Sequence, residues 1–277
     1  MKKCWLNEKS VLLTGVTSGI GKLLAKKLIN EHNCKIFGIG RNEKAIEELK
    51  NELGDKKPNL DYRLFDISNE ENWKWLAKDL QEKNINIDIL INNAGQLPKF
   101  KKFEKYAPSD FENIMAVNFM ASVYSVTHIL PLLKKSSTPA IINVSSSAAL
   151  CPLAGTSAYS SSKAALKSFT ECLMEDYRKE IYVALVCPGF TKTEIFRNQK
   201  VEIDKIVDKF CSSCEKNTSR ILKKIQKKKK RIVVGFDAHL MDFFYRRFPR
   251  SFSHTCSSVL KKSKIRLFGE VWNNKKD

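Results

Sequence analysis

Nowhere does this chain offer the roughly 18 consecutive apolar residues that a helix needs to cross a bilayer. Its start, MKKCWLNEKSVLLTG, carries two lysines but no apolar run long enough for a signal peptide. An intracellular, cytoplasmic protein is expected. Metal ligation is equally short of parts: Cys211 and Cys214 form C-S-S-C, but no second half of a zinc site accompanies them, and neither His239 nor His254 stands at ligand spacing. No metal site is expected. The remaining cysteines (Cys4, Cys34, Cys151, Cys172, Cys187 and Cys256) are scattered, several within apolar surroundings such as LVCPG, which suits reduced, buried thiols. No internal repeat or low-complexity linker interrupts the chain before about residue 200. What is present is 277 residues, 43% hydrophobic and 29% charged, enough for one soluble domain with a buried core.

Short apolar runs alternate with longer segments of helical period. Strand-like SVLLTG (10–15) precedes amphipathic GKLLAKKLINEH (21–32) and strand-like KIFGIG (35–40). The alternation continues through strands at 61–68, 87–95, 140–146 and 181–189, with helices expected around 70–83, 108–134 and 157–179. Such a pattern predicts a doubly wound α/β domain of Rossmann type, a parallel sheet covered by helices on both faces.

The first strand runs into TGVTSGIG, which places Gly15, Gly19 and Gly21 at the mouth of the first helix with Thr17, Ser18 and Ile20 among them. Glycine there permits a tight turn and lets backbone N–H groups approach a pyrophosphate at the positive end of the helix. The spacing is G-x-x-x-G-x-G, not the general dinucleotide fingerprint G-x-G-x-x-G. At the end of the second strand, where a carboxylate would bond the ribose of NAD, the chain instead reads Gly40-Arg41-Asn42. Arg41 is a planar cation suited to a 2′-phosphate, so NADP(H) is expected in preference to NAD(H), with a solvated loop arginine as the alternative.

AYSSSK (158–163) sets a phenol and an ammonium four residues apart, on one face of a helix, with small residues between them. An adjacent ammonium favours the phenolate, and Tyr159 beside Lys163 is expected to have its pKa lowered towards usefulness as an acid or base near neutrality. An isolated pair of this spacing is commonplace on amphipathic helices, so it needs company.

The company is TGVTSGIG (14–21), NNAG (92–95), VN (117–118), NVSS (143–146), YSSSK (159–163) and PGFTKT (188–193). In this order and near these spacings they resemble the short-chain dehydrogenase/reductase family, from about residue 8 to 195. The resemblance implies catalysis by Asn118, Ser146, Tyr159 and Lys163: proton transfer by Tyr159, a hydrogen bond from Ser146 to the same substrate oxygen, Lys163 on the nicotinamide ribose and Asn118 holding a water that links Lys163 to a proton relay. Ser146 is chosen among three consecutive serines because the family usually places this serine thirteen residues before the tyrosine. The resemblance also implies cofactor contacts from Asp66 and Ile67 at the adenine, from Asn92, Ala94 and Gly95 alongside, from Pro188, Gly189 and Thr191 in the PGFTKT segment, and from Thr193 at the carboxamide. It implies interconversion of a carbonyl and an alcohol by an NADP(H)-dependent enzyme, and a homodimer or homotetramer. The variable substrate lid is expected at 194–219, where Ile195 and Phe196, with Phe190 before them, imply an apolar lining and a small-molecule substrate with a hydrophobic body. The rival reading is a catalytically silent sensor or scaffold that binds a dinucleotide without turnover.

The catalytic domain is expected over 1–236 and a helical basic extension over 237–277. From Glu215 to Asp277 there are 18 Lys+Arg against 5 Asp+Glu, although the whole chain carries a net charge of +19. In DAHLMDFFYRRFPR (237–250) aromatic residues sit beside Arg246, Arg247 and Arg250, a composition suited to a helix in an anionic membrane interface or, alternatively, to packing within the domain or between subunits. No nucleic-acid motif accompanies the charge, so no specific nucleic-acid partner is expected.

Overall fold

The computed structural model describes residues 4–193, 211–262 and 268–272. Seven parallel strands form one sheet in the order β3-β2-β1-β4-β5-β6-β9: β1 is Ser10–Thr14, β2 Lys35–Gly40, β3 Leu60–Leu64, β4 Ile89–Asn92, β5 Ala140–Val144, β6 Tyr182–Pro188 and β9 Arg231–Val234. A two-stranded ladder, β7 (Thr191–Lys192) with β8 (Ser212–Ser213), stands apart from it.

Period-two burial sorts the strand side chains onto the two faces. Val11 and Leu13 enter one core with Ile36, whereas Leu12, Phe37 and Ile39 enter the other. The first face is covered by α1 (Gly19–His32), α2 (Glu43–Leu53) and α7 (Cys214–Gln226), through Leu24 and Leu28, Ile46 and Leu49, and Ile221 and Ile225. The second face receives α3 (Glu70–Glu82) and α5 (Ala121–Leu133), through Trp73, Leu76, Ile129 and Leu133. Strands buried on both sides need a near-continuous apolar run, which KIFGIG and YVALVCP supply, whereas the edge strand β3 stays partly exposed. Helix α2 goes unread in the sequence, although Asn42 caps it by accepting the Ala45 N–H at 3.1 Å.

Helix α4 (Pro108–Met115) runs through a π-helical turn, Ala116–Met120, into α5. The combined run Pro108–Leu133 is long and apolar enough to cross a membrane by length and mean hydropathy, although polar residues interrupt it and no 18 consecutive apolar residues occur in it. It packs against the core instead, and its polar residues explain why. Ser125 donates to Asn92 (2.7 Å), Asn92 to Asn143 (2.9 Å) and Asn143 to Thr170 (2.9 Å), a buried chain that ties α5, β4, β5 and α6 (Ser157–Asp176) together. Each member is satisfied by the next, so the chain fixes the register of these elements at little desolvation cost.

After β9 come α8 (Phe236–Arg247), α9 (Pro249–Lys262) and the short α10 (Gly269–Trp272). Phe268 packs against Phe100 with ring centroids 5.0 Å apart, and Val271 lies against Gly155, where a β-carbon would come within 2.2 Å of it. Through these contacts the C-terminal region folds onto the rest of the domain.

Candidate active site

Strand order reverses between β1 and β4, and a cleft of about 680 Å³ opens at the carboxyl ends of the strands there. That is where an open α/β sheet places its ligand, and the volume falls within the range of small-molecule sites.

The loop after β1 is held by its neighbour after β4. Thr14 Oγ1 accepts the N–H groups of Asn93 and Ala94, both at 3.0 Å, while Asn93 Nδ2 donates to the carbonyl of Thr14 at 3.0 Å. Gly15 turns the chain at φ +76°, and a β-carbon on Gly21 would lie 2.1 Å from the Gly15 carbonyl oxygen. Gly21 thus lets α1 press on the loop and does not itself line the cleft, whereas Gly15, Thr17, Ser18, Gly19 and Ile20 do. Ser18 precedes α1 in an extended conformation without a side-chain cap, and no acidic residue occupies the first turn. The free N–H groups and the positive helix end therefore face the cleft. This cradle, which side chains at the glycines would fill, fits a dinucleotide pyrophosphate.

Farther along, Arg41 is exposed at the rim beside Asn42, and Asp66 and Ile67 complete that end of the cleft. Asp66 accepts from the N–H and the hydroxyl of Ser68 at 2.9 and 2.8 Å, which hold its carboxyl below the usual range, helped by the charge of Arg41. Ala94 and Gly95 line the centre, with Pro188, Gly189, Thr191 and Thr193 opposite. Thr191 is partly committed elsewhere, donating to Gly189 O and accepting from Asn217, both at 2.9 Å.

Ser146, Tyr159 and Lys163 meet on the floor of the cleft. Tyr159 faces Ser146, and Lys163 Nζ donates to the carbonyl of Val144 at 3.1 Å. Burial pushes the phenol up, with Ser146 opposing it, and pushes the ammonium down to about 8. The expectation that Lys163 lowers the tyrosine is corrected here: both groups are enclosed, and loss of solvent disfavours the charged form of each.

Besides Gly21, two expected residues lie outside the cleft wall. Asn92 is corrected as a cofactor contact, because its side chain is spent in the buried chain between Ser125 and Asn143. Asn118, in the π turn, is buried behind the wall. Its Oδ1 accepts the Gln96 N–H at 2.7 Å and its Nδ2 donates to Gln96 O and Ser162 Oγ at 3.0 and 3.1 Å. A β-carbon on Gly95 would lie 3.2 Å from both Asn118 Oδ1 and Lys163 Nζ, so glycine is what allows these two groups to approach. The widened turn is a known way to re-aim a functional side chain. Of the expected substrate lid, 194–210 lies outside the described residues, Ile195 and Phe196 included; Phe190 lines the cleft. The sequence reading misses Asn93, Asp237 and Met241. Asn93 stands inside NNAG and is the residue of that motif whose side chain braces the loop, while Met241 reaches the cleft from α8.

Sheet order, glycine cradle and the Ser146–Tyr159–Lys163 group define the class: a Rossmann-type oxidoreductase that works with a dinucleotide. Comparison with known proteins narrows it. The model of the short chain dehydrogenase family matches residues 9–204. The chain is 32% identical over 194 residues to the benzil reductase ((S)-benzoin forming) of Saccharomyces cerevisiae, covering 68% of this chain and 73% of that protein. It is 31% identical over 195 residues to an NADP-dependent 3-hydroxy acid dehydrogenase of Escherichia coli, covering 70% and 77%. A short chain dehydrogenase from Burkholderia cenocepacia, solved with NADP, shares the fold at a TM-score of 0.75 and 24% identity, over 91% of this chain and 98% of that one. The chain belongs to the short-chain dehydrogenase family and is an oxidoreductase of that family.

Proposed function

We propose that the enzyme interconverts a carbonyl and an alcohol on a small molecule with a hydrophobic body, using NADP(H), and that Tyr159, Ser146, Lys163 and Asn118 carry the reaction. The observation behind this is that Ser146, Tyr159 and Lys163 line one cleft, with Lys163 one helical turn on from Tyr159. When bound, the cofactor supplies or accepts the hydride. The chain does the rest. Ser146 holds the substrate oxygen, and Tyr159 gives it a proton as it becomes an alkoxide. Burial favours the protonated phenol, the form that donates to a substrate oxygen. Lys163 offsets the charge left on the phenolate, and Asn118 fixes Gln96 and the wall beside Lys163.

Arg41 supports the preference for NADP(H) over NAD(H): it is exposed at the adenine end, where no carboxylate ends β2. The named activities of the two relatives, a benzil reductase and an NADP-dependent 3-hydroxy acid dehydrogenase, agree with this reading. Leu97, Phe100, Leu153, Phe190 and Met241 favour an apolar substrate body at the Tyr159 end. The same reading places the enzyme in the cytoplasm as a homodimer or homotetramer, peripheral to an anionic membrane. Loss of NADPH absorbance against diketones, 3-keto acids and aromatic aldehydes is the test. No turnover with any of them would overturn the reading, and faster turnover with NADH would overturn its cofactor part.

A further inference from the structure

Helix α8 presents large apolar side chains to the outside. It buries Ala238, Met241 and Asp242, while Phe236 is 74% exposed and Phe243 61% exposed, with Leu240 exposed between them. Residues 236, 240, 243 and 247 share one helical face, so Arg247 continues the stripe that the apolar side chains begin. Phe248 extends it past the helix end, and Phe244 flanks it, stacked on Phe252 of α9 at 5.4 Å.

Charge decides what this face fits. Both carboxylates of α8 are committed inward: Asp237 accepts the Phe190 N–H at 2.6 Å, and Asp242 binds Arg231 through two bonds of 2.7 Å and takes Arg246 at 3.2 Å. The outward face therefore carries aromatic rings and the exposed Arg247, with neither carboxylate of α8 on it, and the exposed Arg250 follows in the first turn of α9. A protein core would accept the rings but not the arginines, and water would accept the arginines but not the rings. The headgroup boundary of a bilayer accepts both, rings towards the acyl chains and guanidinium groups towards lipid phosphate.

We infer that this face of α8 is a docking surface for an anionic lipid bilayer. The inference deepens the membrane-peripheral part of the proposed function, on which it rests, by naming the surface responsible. It also assigns α8 a second duty. Met241 lines the cleft from the side opposite the rings, so a single helix about 10 Å across separates the substrate site from the lipid. An apolar carbonyl compound dissolved in the membrane would then be presented at the wall of its own site.

The experiment is co-sedimentation of the full-length protein, without substrate or cofactor, with vesicles of phosphatidylcholine alone or phosphatidylcholine plus phosphatidylglycerol. Binding to the anionic vesicles is expected, with release at high salt. Phe236→Ser with Phe243→Ser, and separately Arg247→Gln with Arg250→Gln, should each weaken partition on the order of tenfold or more. Both variants should retain the native circular dichroism and vesicle-free NADPH turnover of a water-soluble carbonyl compound. Binding to neither vesicle, or equally to both, would overturn the inference. So would aromatic variants that dissociate an oligomer without changing partition, since the face would then belong to a second copy of the chain. Vesicle binding by a protein that turns nothing over would overturn the proposed chemistry and leave this surface standing.

Discussion

The carboxylate of Asp237 stands where a side chain on Gly189 would have to go: a β-carbon there would lie 2.2 Å from its Oδ1. Its Oδ2 accepts the Phe190 N–H at 2.6 Å, so the first turn of α8 holds the segment that lines the cleft across from α1. Removing the carboxylate in Asp237→Ala strands a part-buried N–H, which costs about 1–3 kcal/mol. Denaturant unfolding should show that loss, and KM for NADPH should rise. Burial raises the Asp237 pKa, so the ionised form is disfavoured in the fold. Asp237→Asn keeps an acceptor without the charge and should remain near wild type in both measurements; an equal loss in Asn and Ala would mean that the charge itself is required.

Tyr159→Phe removes the phenolic proton and little else. Single-turnover reduction should slow by a factor on the order of 10² to 10⁴, while NADPH affinity, read by fluorescence titration, stays within about twofold. Normal turnover would reassign the proton donor.

Lys163 sets a pH dependence. Its pKa is pushed down to about 8 from 10.5, so the ammonium that offsets a phenolate is present below that pH and lost above it. For reduction, kcat/KM for NADPH, which reports the free enzyme, should fall as pH rises through about 8. Lys163→Arg, whose cation does not titrate below about 12, should lack that inflection. The stability sign runs the other way. Between about 8 and 10.5 the unfolded chain binds more protons at this residue than the folded one, so its contribution to unfolding free energy rises across that interval. A flat rate profile would sink the assignment.

Arg41→Asp exchanges a phosphate partner for a ribose-hydroxyl partner and adds repulsion towards a 2′-phosphate. The ratio of kcat/KM for NADPH over NADH should drop by at least on the order of tenfold. A wild-type ratio already below one would defeat the argument before the variant is made.

Much of this architecture is legible in the sequence, because strand period, turn glycines and a Tyr-x-x-x-Lys spacing are local properties. KIFGIG reads as a buried strand, and TGVTSGIG as a turn into a helix, without knowledge of any neighbour. The signals of α2 are also local, an Asn42 cap and Ile46, Leu49 and Leu53 on one face, but the charged residues of EKAIEELKNEL dilute them. What the sequence does not disclose depends on distant contacts. Asn92 and Asn93 are adjacent and chemically identical, yet strand geometry sends one into the core towards Asn143 and the other to the loop carbonyls of residues 14 and 15. Asp237 acts on a segment 47 residues earlier. The direction of the Tyr159 shift follows from enclosure, which no spacing of four residues reveals. In the C-terminal region, composition shows aromatics beside arginines, but only the packing of Met241 and Asp242 decides which side of the helix faces out.

The packing of Phe268 and Val271 against Phe100 and Gly155 has a consequence for biosynthesis. Translation delivers the cradle and the Tyr159–Lys163 helix well before those two side chains, and a chain still attached to the ribosome can close its sheet at residues 231–234 while its last helical turn is inside the exit tunnel. A polypeptide stalled before residue 268 would leave the loop leading to Tyr159 without the side chains that brace it from behind.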